Sequence, residues 1–297
     1  MNTLKFKFLI VIGLGLILNL EAQNKSTNDI YYTSELNSSG RDIYKMNSDG
    51  TKQIKLTRKH GTGHYPHNNC PKLSPDGTKI AYHSDTDSHD RYAIWTMNID
   101  GSNQKRITEK EGLFAEWSPD GKTLIFSGRR NGVWEILMIP SNGGEESNLS
   151  NNFRKAKKPG WGAICSYHPN GKSIVYTHVR EKVLYAMDLE TNVIKQLSPS
   201  NHKYTNPAFS KDGLSIAVIR KISDSYDLIT ISPDGKNGKV IAKKALSYSR
   251  PAWSNSGKEL LYVGLVNKNQ EIFKINIETG EEIQLTNNSD FDAMPTW

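Results

Sequence analysis

A ten-residue segment that returns five times restricts this chain to a repeat architecture. The copies are Leu73-Ser-Pro-Asp-Gly-Thr-Lys-Ile-Ala-Tyr82, Trp117-Ser-Pro-Asp-Gly-Lys-Thr-Leu-Ile-Phe126 and Tyr167-His-Pro-Asn-Gly-Lys-Ser-Ile-Val-Tyr176. Phe209-Ser-Lys-Asp-Gly-Leu-Ser-Ile-Ala-Val218 and Trp253-Ser-Asn-Ser-Gly-Lys-Glu-Leu-Leu-Tyr262 complete the set. Their glycines fall at 77, 121, 171, 213 and 257, in steps of 44, 50, 42 and 44 residues. Fixed-period self-similarity of this length is the mark of solenoids and propellers.

A second element recurs out of phase with the first. It is an apolar segment, a turn, and a short strand ending in Leu-Thr or a relative. The copies run from Ile43 to Thr57, Ile94 to Thr108, Glu135 to Ser150, Leu184 to Ser198, Leu228 to Ala242 and Ile272 to Thr286. Each unit therefore reads as four short strands. The first carries the Pro-x-aromatic-Ser segment of Pro251-Ala-Trp-Ser254. A Pro/Asp/Gly turn follows, where Gly takes positive φ and Asp bonds its own backbone. The second strand is apolar and aromatic, as in Leu260-Leu-Tyr-Val263. The third and fourth form a hairpin through turns such as Asp49-Gly50 and Asp100-Gly101. Four strands per unit of this length predict an all-β propeller of antiparallel blades.

The second element has six copies and the first has five. The missing copy is supplied by the two ends of the chain. Ala293-Met-Pro-Thr-Trp297 matches Arg250-Pro-Ala-Trp253, and Asp29-Ile-Tyr-Tyr-Thr33 matches Lys79-Ile-Ala-Tyr-His83. The C-terminus thus provides the first strand of a blade whose other three come from the N-terminus. Six blades result, with the ring closed by pairing of the terminal strands. The length agrees: residues 23–297, at a mean repeat of 45.8 residues between Leu56 and Leu285, make six units.

The Ser-Pro-Asp-Gly-Lys-x-Ile-Ala-Tyr pattern and the Asn-x-Asp-Gly…Leu-Thr tail resemble the WD40-like PD40 repeats of TolB-type β-propellers. The resemblance covers residues 29–297. It is to the propeller alone: TolB proper has a further N-terminal α/β domain, for which Ala22 to Asp29 leaves no room. The resemblance implies a binding or scaffold module of the cell envelope. The same repeats also form gating domains of prolyl-oligopeptidase-like peptidases, and some polysaccharide lyases with propeller folds use channel histidines with a metal.

Residues 1–22 read as a cleaved secretory signal. Lys5 and Lys7 form the positive segment, Phe8 to Leu20 the apolar one, and Ala22 precedes the cut. Its removal changes the net charge from +7 to +6, and the expected location is the periplasm or the exterior. No other stretch is apolar enough to span a membrane. Apolar residues at 36% and charged ones at 23% fit a folded chain. The charge is too mild to indicate nucleic acid, and no basic stripe is interleaved with aromatics. Two cysteines, Cys70 and Cys165, exclude a multi-cysteine metal module. They are expected in non-neighbouring blades as free, buried thiols.

Motifs for catalysis are lacking. There is no Gly-x-Ser-x-Gly elbow and no His-Glu-x-x-His, and Gly121-Lys-Thr123 lacks the glycine of a phosphate loop. Asp85, Asp87 and Asp90 lack the terminal Glu of a calcium loop and read as a solvated loop. Arg154-Lys-Ala-Lys-Lys158 reads as an exposed basic loop. The periodic Trp117, Tyr167, Phe209, Trp253 and Trp297 read as inter-blade core.

Candidate binding residues are those just before the innermost strands, where loops open onto the axial channel. They are His64, His67, Trp161, Tyr204, Arg250 and Asp292, with Phe114, Glu116 and Asn206 beside them; His83, at the end of the next strand of the blade that follows His64 and His67, joins the set. This mixture of aromatic and polar groups suits a peptide or a sugar. The sequence reading is a monomeric, secreted or periplasmic propeller that binds a protein or peptide segment at its channel face. No cofactor, metal or catalytic residue is expected. The alternative is a glycan-active enzyme, such as a polysaccharide lyase, that uses the channel histidines.

Overall fold

The computed structural model describes residues 28–36, 40–57, 65–87, 91–151, 163–178, 180–243, 245–248 and 250–297. Six four-stranded antiparallel sheets form the blades of a ring. From the channel outward, blade 1 is Asp292–Thr296, Ile30–Ser34, Asp42–Met46 and Ile54–Lys55. The innermost strands of blades 2 to 6 are Asn68–Leu73, Gly112–Trp117, Cys165–Tyr167, Tyr204–Phe209 and Ala252–Trp253. Blade 1 closes the ring as expected. Thr296 pairs with Tyr31, Ala293 with Thr33, and Asp292 with Ser34.

Local chemistry explains the repeat. In the Ser-Pro-Asp-Gly turn, the Ser74 hydroxyl donates to Asp76 Oδ1 at 2.6 Å, and the Thr78 amide donates to the same oxygen at 3.1 Å. Gly77 follows with φ +70°, which a side chain would resist. Ser118–Asp120 and Ser210–Asp212 repeat the 2.6 Å bond.

The terminal Thr or Ser of the second element is a clasp. The buried hydroxyls of Thr57, Thr108, Ser150, Ser198 and Thr286 accept the amides of Ile43, Ile94, Ile136, Leu184 and Ile272 at 2.9–3.0 Å. Three of them also donate to a buried carboxylate: Thr57 to Asp42, Ser150 to Glu135 and Thr286 to Glu271. Blade 5 ends in Ala242 and has no such hydroxyl.

The blades are fastened to one another by the periodic aromatics. Trp117 Nε1 of blade 3 donates to the Lys72 carbonyl of blade 2 at 2.9 Å, and Trp253 Nε1 of blade 6 to the Ala208 carbonyl of blade 5 at 3.0 Å. Apolar clusters fill each gap between blades, such as Ile94, Ala115, Trp117 and Phe126 between blades 2 and 3. Burial of this kind, at about 25 cal/mol per Å2, is the main stabilising term.

In blades 2, 3 and 5 the innermost strand starts before the Pro-x-aromatic segment, at Asn68, Gly112 and Tyr204, so Cys70, Phe114 and Asn206 lie inside strands. Pro71 and Pro207 sit where the register shifts, between Asn69 and Lys72 and between Thr205 and Ala208. A bulge has no ladder bond at that point, so a proline with no N–H is tolerated. Cys70 and Cys165 are free, buried and in the innermost strands of blades 2 and 4.

Candidate functional site

The site is built on that bulge. Cys70, Phe114, Asn206 and Met294 occupy one repeat position and all have left-handed φ, between 52° and 58°. Non-glycine residues adopt this region only where the surroundings enforce it. The turn of the backbone aims Phe114, Asn206 and Met294, with Ile164 of blade 4, into a cavity at the channel mouth.

The channel is filled by Arg250, at the same repeat position in blade 6, and by Lys72 and Glu116, two residues further along the strands of blades 2 and 3. Arg250 reaches from blade 6 to blade 3, where its Nη2 donates to Glu116 Oε2. Nη2 also lies 3.2 Å from the Cys165 carbonyl of blade 4, and Nη1 lies 3.4 Å from the Ala115 carbonyl. Lys72 of blade 2 adds a second cation 3.1 Å from Glu116 Oε2. Burial pushes the Lys72 ammonium down to about 8, against the pull of Glu116. Two cations and one carboxylate therefore sit under the mouth, a net positive floor.

Above this floor the cavity has a volume of about 380 Å3. Its base is apolar, from Phe114, Ile164 and Met294. Its wall over blades 4 and 5 carries Arg180, Lys182, Lys203 and Lys221, and no carboxylate lines it. The backbone brings these cations together. The Tyr204 amide donates to the Lys182 carbonyl at 2.7 Å, and the Lys221 amide to the Lys203 carbonyl at 2.8 Å. Burial, and then the nearby Lys203, lower the Lys182 ammonium. Among the described residues, none of the four cations is paired with a carboxylate. Thr177 also lines the cavity; its hydroxyl is buried with no hydrogen-bond partner. Tyr226 and Tyr248 complete the wall.

The family model described as the TolB beta propeller domain matches residues 23–164 and 58–256. The chain belongs to this family. Among solved structures, this TolB-type propeller is similar to TolB from Acinetobacter baumannii, with a TM-score of 0.78 and 20% identity over 97% of this chain and 71% of that one. An oligogalacturonate lyase in complex with manganese shares the fold at a TM-score of 0.58 and 11% identity, covering 89% of this chain and 75% of that one. The uncharacterized peptidase YuxL of Bacillus subtilis is 26% identical over 200 residues, 65% of this chain. The propeller spans only 28% of that peptidase's length.

The sequence-predicted residues of the TolB-type propeller fall in different places. Arg250 forms the channel plug. Asp292 is fully buried at the start of the innermost strand of blade 1, and its Oδ2 accepts from Asn288 Nδ2 at 2.6 Å. Burial raises its carboxyl to about 6. Tyr204 packs in the core between blades 4 and 5 with Leu184 and Ile216. His83 is buried against Tyr92 and Phe114, and its Nδ1 accepts the Phe114 amide at 3.4 Å. Burial, with Arg41 nearby, pushes its imidazole down to about 3. His67 stays at the rim, its Nδ1 3.2 Å from Asp85 Oδ2, while its amide donates to Asp85 Oδ1 at 2.6 Å. Asp85 is thus a buried anchor rather than part of a solvated loop. His64 and Trp161 lie outside the described residues, as do His89, Asp90 and the basic run 154–158.

The cavity wall went unnoticed in the sequence. Thr177, Arg180, Lys182, Lys203 and Lys221 lie outside both repeat motifs. The available signal was positional: Thr177 and Lys221 sit near strand ends, and Arg180, Lys182 and Lys203 in the connections next to them, where successive loops of blades 4 and 5 converge.

Among the described residues no helix is long and apolar enough to cross a membrane.

Proposed function

We propose that this propeller is a binding module of the cell envelope or its exterior that holds a segment of another protein at the channel mouth. One observation carries the reading. The cavity is a cup that sets the apolar Phe114, Ile164 and Met294 beside four cations, and the buried Arg250–Glu116–Lys72 cluster crosses the channel next to the Phe114 and Ile164 strands. Concave sites of roughly 300–1,000 Å3 with an apolar lining and a few placed polar groups are the usual form of a ligand pocket. The fold likeness to TolB over nearly the whole chain supports a binding role. The signal-like N-terminal sequence supports a location in the periplasm or outside the cell.

The test is site-specific photo-crosslinking in envelope extracts of the source cells. A photoreactive residue at Tyr248, on the cup wall, is expected to capture one discrete protein. The same residue at Lys258, in an exposed turn at the far end of the innermost strand of blade 6, is not. Equal capture at both positions, or none at Tyr248, overturns the reading, as does turnover of an anionic polysaccharide by the purified protein.

A further inference from the structure

We infer that the segment held in the cup is acidic: an apolar anchor side chain flanked by carboxylates. This rests on the reading of the mouth as a protein-binding site and adds the chemistry that site selects.

Arg180, Lys182, Lys203 and Lys221 converge on one wall with no acidic partner among the described residues. Bringing like charges together is unfavourable in the empty protein, so the arrangement is a standing cost that an anion relieves. The plug below adds to it, since Lys72 and Arg250 outnumber Glu116. A concave surface of one sign focuses its field and raises the local concentration of oppositely charged ligand. Arginine and lysine ammonium or guanidinium groups bond carboxylates more strongly than neutral donors bond neutral acceptors.

The base then discriminates between acidic ligands. Phe114, Ile164 and Met294 offer an apolar surface that is satisfied by a hydrocarbon side chain. A peptide provides one beside its carboxylates; an acidic sugar presents hydroxyls there, which would lose water without gaining partners. Thr177 lines the cavity as well, and among the described residues its buried hydroxyl has no hydrogen-bond partner. Ser247 is engaged within the fold, its carbonyl accepting Thr205 Oγ1 at 2.9 Å and Asn206 Nδ2 at 3.1 Å, which fixes the far wall.

The experiment is titration calorimetry of the full-length mature protein with blocked pentapeptides at low ionic strength. The probes are Glu-Glu-Leu-Glu-Glu, Gln-Gln-Leu-Gln-Gln and Glu-Glu-Gly-Glu-Glu, with trigalacturonate as the sugar arm. Glu-Glu-Leu-Glu-Glu is expected to bind at least tenfold more tightly than each of the other three, and to weaken as salt is raised. The double variant Lys203→Glu/Lys221→Glu is expected to lose that binding at least tenfold at an unchanged thermal midpoint. Lys258→Glu, in the distant turn, is expected to leave it intact. Equal binding of the Glu and Gln peptides overturns the acidic preference while leaving the protein-segment reading standing. Trigalacturonate binding without peptide binding overturns both. No binding by any probe, or insensitivity to Lys203→Glu/Lys221→Glu, overturns the inference.

Discussion

Arg250 and Glu116 lie 134 residues apart in the chain and form a buried ion pair across the central channel. Their blades, the sixth and the third, face each other in the ring. Breaking such a pair leaves an uncompensated charge away from water, at a cost of about 3–5 kcal/mol. Arg250→Ala is therefore expected to lower stability, read from the urea midpoint, by up to that amount, the retained Lys72–Glu116 pair offsetting part of it. The triple variant Arg250→Met/Glu116→Leu/Lys72→Met, which leaves no unpaired charge in the cluster, should recover most of the loss. A single variant with wild-type stability would show that the pair does not brace the ring.

The Thr and Ser clasps give a graded series. Thr286 accepts the Ile272 amide and donates to Glu271, so Thr286→Val orphans both. Ser198 accepts the Leu184 amide, and Val183 stands where blades 1, 3 and 6 place the acid that the clasp hydroxyl bonds. Each buried group left unsatisfied costs roughly 1–3 kcal/mol, more when charged. Chemical denaturation should rank Thr286→Val clearly below Ser198→Ala. The reverse order would mean that the carboxylate arm contributes nothing.

These clasps show which parts of the molecule were legible in the sequence. The turns, the hairpins and the Leu-Thr ends are made of residues within about 15 positions of each other, so their chemistry leaves a local, repeated trace. Ring closure was legible because Met294-Pro-Thr-Trp297 copies a strand whose continuation starts at Asp29. The plug and the basic wall leave no such trace. Arg250 meets Glu116, and Lys203 nears Lys182, only after the blades are arranged around an axis. Asp85 was misread for a nearer reason: its partner, His67, enters the neighbouring strand of the same blade 18 residues earlier, outside the repeated segments.

Removal of Ala293–Trp297 is expected to destabilise all six blades together. The cut takes away the strand that pairs with Tyr31 and Thr33, and it removes Trp297 from the cluster formed by Tyr32, Leu261 and Ile272. It also opens a sheet edge that closure had covered. The loss should exceed the roughly 4–5 kcal/mol that is exceptional for a point substitution. Limited proteolysis and circular dichroism are the readouts; a truncated protein with a wild-type melting curve would refute the closure argument.

Asp292 makes the ring less stable at neutral pH. Its folded carboxyl is raised by burial to about 6, above the 3.8 of the free side chain, so the folded state holds the proton more tightly. The contribution favours folding below pH 4 and is lost as pH rises from about 4 to 6. Asp292→Asn is expected to gain up to roughly 3 kcal/mol at pH 7.5 and little at pH 3.5. Urea midpoints at the two pH values test this, and an equal effect at both would show that the carboxyl does not titrate in that window.

His83 acts in the opposite direction. Its ring packs between Tyr92 and Phe114, and its Nδ1 accepts the Phe114 amide, an arrangement that requires that nitrogen to be unprotonated. Burial, aided by the Arg41 charge, lowers its folded value to about 3 from 6.5. The unfolded chain therefore takes up the proton first as the solution is acidified. Stability from this site is whole above pH 6.5 and is lost as pH falls from 6.5 toward 3, at up to about 1.4 kcal/mol per pH unit. His83→Gln keeps an acceptor but cannot titrate, so it should be less stable than the wild type at pH 7.5 yet flatter between pH 6.5 and 4. The two curves should converge or cross as the medium becomes acidic. Parallel curves over that range would mean that His83 is already charged in the fold, and that the Phe114 amide has another acceptor.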